Sequence, residues 1–383
     1  MNRWFFAGTL SVLAALALSA GPAGADETQT LLAQIKKVGR EGAGNVEAAR
    51  AWKALVARGT PALMPILAAM GDDEGTSANW LRPAFDVIAE RAVRDGKPLP
   101  KAALEKFLGA TTNPRSARRL AYEWLVKVDK TAPDRFLPGM LHDPSPELRR
   151  DAVARVMTRA EDLAKKKEAK PAEKAYRQAL AGACDQDQVD AITKALDNLG
   201  VKVDLQAHFG VVRSWRLAGP FDHHKGVGWG TAYPPEKGVD LAAAYKGKDG
   251  KEIKWSSFTT KDPYGVVDLN KVLGKSMGAV AYAYAVVESP KEQTVELRAG
   301  SPNGLKVFLN GKRVFAREEY HHGASLDQYA ARGALRQGRN EILLKVCQNE
   351  QKENWAQEWK FQLRLCDFTG AAVPFTQDTK EKK

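Results

Sequence analysis

Gly304-Leu305-Lys306-Val307-Phe308-Leu309-Asn310-Gly311-Lys312, followed by Leu335-Arg336-Gln337-Gly338-Arg339-Asn340-Glu341-Ile342-Leu343-Leu344-Lys345-Val346, decides how the C-terminal half folds. Leu305, Val307 and Leu309 recur at the two-residue period of a strand. The Asn-Gly step that ends the run suits the positive φ angles of a type I′ hairpin. In the second run, Gly338 and Asn340 mark a turn before the apolar face Ile342, Leu344 and Val346. Working outward, Val280, Tyr282, Tyr284 and Val286 alternate with small residues, Val295 and Leu297 follow, and Trp359, Phe361, Leu363 and Leu365 form a further apolar face. One buried face per strand implies two packed antiparallel sheets.

Upstream, from about residue 28 to 200, strand signals give way to apolar residues at steps of three and four. Leu81, Phe85, Ile88 and Ala92 fall on one helix face, and Leu120, Trp124 and Val128 on another. Ser145 is placed to cap a helix that starts at Pro146, where the missing N–H costs nothing, and that buries Leu148, Ala152 and Val156. A later helical hairpin is expected from Ala175, Tyr176, Ala179 and Leu180, then Val189, Ile192, Ala195, Leu196 and Leu199 before Gly200. Composition shifts near Val201, where Trp, Tyr, Gly and β-branched residues rise. The reading is therefore a multidomain α plus β chain, helices first and an antiparallel β-sandwich after them.

Four resemblances refine this. The segment from His142 to Val153, with an aspartate before a helix carrying Arg149 and then Ala152-Val153, resembles the second helix of a HEAT repeat, and Gly59-Thr60-Pro61-Ala62-Leu63 through Leu67 resembles its first. The hairpin after the lysine-rich break at 165–170 looks tetratricopeptide-like. The 304–312 and 335–346 runs resemble the galactose-binding-like jelly roll, a sandwich that accompanies secreted glycosidases and carbohydrate-binding modules. Trp215-Arg216-Leu217-Ala218-Gly219-Pro220-Phe221-Asp222, with Tyr233-Pro234-Pro235-Glu236 downstream, is similar to the start of such a sandwich in exported bacterial proteins that carry helical repeats. The resemblance implies a HEAT-like region over 26–165, a bridging hairpin over 166–204, a galactose-binding-like sandwich over 205–370 and a charged tail over 371–383.

Residues 1–25 read as a signal peptide: Arg3, an apolar run from Trp4 to Ala20, and small residues before a cut after Ala25. The expectation is an exported protein, periplasmic or extracellular, with no transmembrane segment after cleavage. The formal net charge of +12 is spread along the chain, and its densest runs, Lys165-Lys166-Lys167 and Lys380-Glu381-Lys382-Lys383, come without a nucleic-acid-binding motif, so specific nucleic-acid recognition is not expected. Three cysteines are too few for a disulfide scaffold and match no zinc spacing; Cys347 and Cys366 are candidates for a disulfide if their strands are neighbours, leaving Cys184 unpaired.

The sequence contains the histidine pairs His223-His224 and His321-His322, but adjacent side chains on a strand diverge, which argues against a shared metal grip, and no metal or cofactor is expected. Gly226-Val227-Gly228-Trp229-Gly230 lacks both the helix start and the Lys-Ser/Thr pair of a phosphate loop. No nucleophile elbow, Cys-His context or paired carboxylates stand out, so no catalytic residue is assigned. A sugar site needs an aromatic platform beside amides or carboxylates. Trp229, Tyr320, His322, Asp327 and Trp355 are the ligand-binding candidates. The expected role is non-catalytic binding of a glycan or cell-surface polysaccharide, with the helical array as scaffold. The alternatives are a protein-interaction scaffold whose partner sits on the helical array, and a hydrolase whose site forms only in three dimensions.

Overall fold

The computed structural model describes residues 22–71 and 77–377, with side chains from Asp26 onward. The expected leader therefore lies outside the described residues, apart from Pro22–Ala25, and so does the end of the tail after Gln377. The chain divides into two compact units, Met1–Phe136 and Leu137–Lys383.

The first unit is helical: α1 (Pro22–Ile35), α2 (Asn45–Ala57), α3 (Leu63–Ala69), α4 (Ala78–Arg94), α5 (Lys101–Gly109), α6 (Arg115–Val128) and α7 (Ala132–Phe136). Consecutive helices pack as pairs, α1 on α2, α3 on α4 and α5 on α6. Their apolar stripes meet in a core that includes Leu55, Ile66, Leu81, Phe85, Leu104 and Leu120. Trp124 joins it with its ring 6.4 Å from that of Phe85, and its indole N–H donates to Asp86 at 2.7 Å. Val128, expected on the same stripe, is 40% exposed because the helix ends there.

The second unit opens with α8 (Pro146–Lys165), α9 (Ala169–Gly182), α10 (Gln186–Asn198) and α11 (Leu205–Phe209). Helix α8 starts at Pro146, but Ser145 makes no side-chain capping bond; the Asp143 carboxylate instead accepts from the Ser145 N–H at 2.8 Å. This unit has a shared core across its helices: Val153 and Ala160 of α8 pack with Ala172, Tyr176 and Ile192, and the same cluster continues into Phe209 and Val211 at the start of the sheet region.

The strands follow as β1 (Ser214–Asp222), β2 (Ala244–Lys246), β3 (Glu252–Lys254), β4 (Ser256–Thr259), β5 (Val267–Asp268), β6 (Ala279–Ser289), β7 (Gln293–Gly300), β8 (Gly304–Leu309), β9 (Lys312–Arg317), β10 (Tyr329–Leu335), β11 (Gly338–Gln348) and β12 (Lys360–Cys366). Short helices α12 (Val227–Gly230), α13 (Pro234–Lys237) and α14 (Leu269–Leu273) interrupt them. One antiparallel sheet has the order β4-β1-β6-β11-β8-β9, a second β10-β7-β12-β5, and β2 with β3 forms a separate ribbon. Leu305, Val307, Leu344 and Val346 of the first sheet share a core with Val295, Leu297, Phe361 and Leu363 of the second.

Asn310 and Gly311 both take positive φ, 51° and 78°, as a type I′ turn requires. Their role extends further. Asn310 Nδ2 donates to Asn340 Oδ1 at 2.9 Å, and Asn310 Oδ1 accepts from the Glu341 N–H at 2.9 Å. Asn340, fully buried, also donates to the carbonyls of Arg336 and Gly338. Two turns recognised separately in sequence are thereby one hydrogen-bonded unit that fixes the register of β8, β9 and β11.

The expectation of one buried face per strand fails at β6. Its alanines, Ala279 to Ala285, face the partner sheet, whereas Val280, Tyr282 and Tyr284 are also buried, beneath the segment from Trp229 to Trp255. Small residues inside and aromatics outside let β6 be covered on both sides. The pairing of Cys347 with Cys366 is also overturned: all three cysteines are free. Cys347 lies among the residues on the outer face of the six-stranded sheet, and Cys366 Sγ lies against the Glu296 carbonyl in the other sheet, so the strands that carry them are not neighbours. Burial pushes the Cys347 thiol up to about 12 and Cys366 to about 11, which leaves both as thiols at neutral pH.

Candidate functional site

Three loops meet at one end of the six-stranded sheet. The segment after β1 brings His223, Lys225 and Gly226, the segment after β9 brings Glu318 and Tyr320, and the segment after β11 brings Asn349 to Glu353. They enclose an open cleft of about 570 Å³.

Adjacent histidines in the turn after β1 serve different partners here. His223 turns inward, only 1% exposed, with Nε2 2.9 Å from the Tyr320 hydroxyl. Its Nδ1 is buried without a partner. An unmet acceptor in that position costs less than an unmet N–H, so the tautomer that fits is Nε2–H, donating to Tyr320. The Tyr320 hydroxyl then turns toward Glu318 Oε1 at 3.4 Å. Burial, followed by the charge of Lys345, holds the His223 pKa below the ordinary imidazole range, and burial raises that of Tyr320, so both are neutral at pH 7. His224 turns outward to Glu350, Nδ1 to Oε1 at 2.5 Å, while Glu350 Oε2 accepts from the Lys225 N–H at 3.2 Å. That backbone donor, then the His224 contact, lowers the Glu350 pKa and keeps a carboxylate on the cleft wall.

Gly228 sets how closely this wall packs. A Cβ there would stand 2.6 Å from the Asp222 carbonyl and 2.7 Å from His223 Nδ1. Gly228→Ala is expected to destabilise the second unit by about 1–3 kcal/mol and to shift the His223 ring, read as a lower urea midpoint and a moved imidazole NMR signal.

Trp355 stands beside the cleft. It is 64% exposed, the most exposed large hydrophobic side chain among the described residues. Its ring meets His321 edge-on at 5.3 Å, and His321 Nε2 lies 2.8 Å from Asn349 Oδ1. The loop under it is fixed: Gln348 Nε2 donates to the Ala356 carbonyl at 2.8 Å and Gln357 Nε2 to the Lys352 carbonyl at 2.7 Å. An exposed indole on a hydrogen-bonded loop offers a flat apolar face at low ordering cost.

Of the five candidates from sequence, the structure brings Tyr320 and Trp355 to this place, and the other three lie elsewhere. Trp229 is half-buried at the start of the cover segment: Lys306 Nζ sits 4.3 Å from its ring centroid and donates to its carbonyl at 2.6 Å. Asp327 is held by two arginines, the buried Arg364 with Nε at 2.6 Å and the half-buried Arg298 with Nη1 at 2.8 Å. His322 is tied to Gln328 at 2.9 Å and to Tyr329 at 3.2 Å. Sequence reasoning missed Asn349, Glu350 and Glu318 as site residues and left His223 and His321 as ordinary loop histidines. The signal was there in Asn349-Glu350-Gln351, an amide- and acid-rich run directly after a strong apolar strand.

The cleft can hydrogen-bond hydroxyl groups through its lysines, amide and carboxylates. Among the described residues no group of His, Cys, Asp or Glu could hold a metal ion, and no helix is long and apolar enough to cross a membrane.

No family model matches the chain, and no curated protein matches it. Among solved structures, a β-glucosidase from Kluyveromyces marxianus in complex with glucose is 9% identical, with a TM-score of 0.27, over 45% of this chain and 21% of that one. The GH31 α-xylosidase of Xanthomonas citri is 10% identical, with a TM-score of 0.19, over 40% of this chain and 16% of that one. The chain thus spans about a fifth or less of the length of these proteins, and likenesses this weak carry no argument.

Proposed function

We propose that the protein is an exported, non-catalytic binding protein whose sandwich, of the galactose-binding-like jelly-roll type, engages a glycan at the cleft beside Trp355, with the HEAT-like helices as scaffold. The observation that carries this reading is the exposed Trp355 ring on its rigid loop, next to a wall of Glu318, Tyr320, Asn349 and Glu350. Pyranose C–H faces stack on such a ring, and the flanking hydroxyls find donors and acceptors together. Tyr320 and His223, hydrogen-bonded to each other at 2.9 Å, hold the shape of that wall.

A glycan array probed with the full chain and with Trp355→Ala tests the proposal. The wild type is expected to give saturable signal for a defined set of glycans, and the variant to bind those at least about tenfold more weakly, a difference of about 1.4 kcal/mol. Because Trp355 is exposed, the variant is expected to unfold within about 0.5 kcal/mol of wild type. Equal signals from both proteins would remove Trp355 from the site.

A further inference from the structure

We infer that the site takes an internal stretch of a neutral, linear polysaccharide several sugars long, running from the first cleft across Trp355 into a second cleft, and not a terminal mono- or disaccharide. This rests on the glycan reading above and deepens it.

The loop that carries Trp355 separates two open clefts. Its first half, Asn349 to Glu353, lines the cleft already described. Its second half, Asn354 and Gln357 to Lys360, lines another of about 710 Å³, whose far wall is Asp268, Asn270, Lys271 and Lys275. Gln357 fastens the two halves together by donating to the Lys352 carbonyl at 2.7 Å. Trp355 is therefore a fixed ridge between two depressions, which suits a chain that rests one ring on the indole and drops its neighbours to either side. A terminal sugar would need only one cleft.

The two walls of the second cleft are joined: Asn270 Nδ2 donates to the Gln357 carbonyl at 2.7 Å, which fixes the amide against the loop that carries Trp355.

The lining charges set the class of polysaccharide. In the first cleft Lys225 and Lys352 face Glu318, Glu350 and Glu353. In the second, Lys271, Lys275 and Lys360 face Asp262, Asp268 and Glu358. Carboxylates match or outnumber cations on both sides, so the excess positive charge of the chain lies elsewhere and a uronate polymer finds no net attraction here.

Calorimetric titration of the full chain with cellohexaose, xylohexaose, mannohexaose and chitohexaose, each beside its disaccharide, tests the inference, with hexagalacturonate as the charged comparison. At least one neutral hexasaccharide is expected to bind about tenfold or more tightly than its disaccharide. In Lys271→Ala/Lys275→Ala, whose altered side chains are exposed and leave the fold intact, that ratio is expected to collapse toward one. A disaccharide that binds as tightly as its hexasaccharide would overturn the two-cleft inference while leaving the glycan reading standing. Preferential binding of hexagalacturonate would overturn its neutral class. Absence of binding by every probe, together with a blank glycan array, would remove the glycan reading and this inference with it.

Discussion

Asp327→Ala is expected to destabilise the second unit by about 3–5 kcal/mol, the cost of leaving buried charge without its partner. Arg364 is 1% exposed and meets Asp327 through two nitrogens, Nε at 2.6 Å and Nη2 at 2.5 Å. Arg298 adds a third bond at 2.8 Å and is itself held by Glu296. Arg364 also donates to the carbonyls of Phe209 and Gly370 at 3.2 and 2.9 Å, so the network ties β12 to the end of α11 and to the segment after the last strand. Removing the carboxylate leaves two guanidinium groups facing one another. Urea unfolding of the full chain, followed by tryptophan fluorescence, reads the loss. It also carries a pH dependence. Burial by itself would raise the Asp327 pKa, but the hydrogen bonds and charge of Arg364, then those of Arg298, outweigh it and set the pKa below the ordinary value of a free aspartate. A carboxyl lowered in the folded state contributes stability that is fully present above its unfolded pKa, near 4, and disappears as pH falls through the folded value. The gap between wild type and Asp327→Ala should therefore be constant from about pH 5 to 7 and narrow below about pH 4.

The second large effect concerns Lys345, whose side chain is fully buried. Its ammonium donates to Glu236 Oε1 at 2.7 Å and to the Thr231 carbonyl at 2.7 Å, while Tyr282 donates to the same carboxylate oxygen at 2.5 Å. These bonds fasten the cover segment over the outer face of the six-stranded sheet. Lys345→Met alone should cost about 3–5 kcal/mol because Glu236 stays charged beneath the cover. Lys345→Met with Glu236→Gln should recover most of that loss, since removing both charges is far less costly than removing one. A double-mutant cycle in urea measures the coupling. If the single and double variants lose the same stability, the pair does not hold the segment.

How far the fold was legible follows from what each residue has to satisfy. The strand positions were readable because alternation is a local property: Leu305, Val307, Ile342, Leu344 and Val346 all reach the core between the sheets. The Asn-Gly turn was readable for the same reason. That Asn310 would bond Asn340 was not, because it depends on strands that are distant in sequence lying side by side. The outer aromatic face of β6 misled the reading: Tyr282 and Tyr284 looked like the core-facing set, yet the alanines between them face the other sheet, and only the tertiary cover buries the rings.

The site was less legible than the fold. Asp327 was chosen as a polar group near aromatics, and nothing local reveals that Arg364, 37 residues away, claims it. Trp229 and Trp355 look alike in sequence; one packs its ring against Lys306, the other faces solvent. His223 gained its place only when the segments after β1 and β9 met, putting Tyr320 within 2.9 Å of it.

Hydrogen exchange of the full chain, with and without the tightest-binding glycan from the array, tests the central claim most directly. The account predicts added protection in the segments 223–226, 318–323 and 349–358, with the helices before residue 137 unchanged. Protection confined to the helices, or none in the loop that carries Trp355, would contradict it.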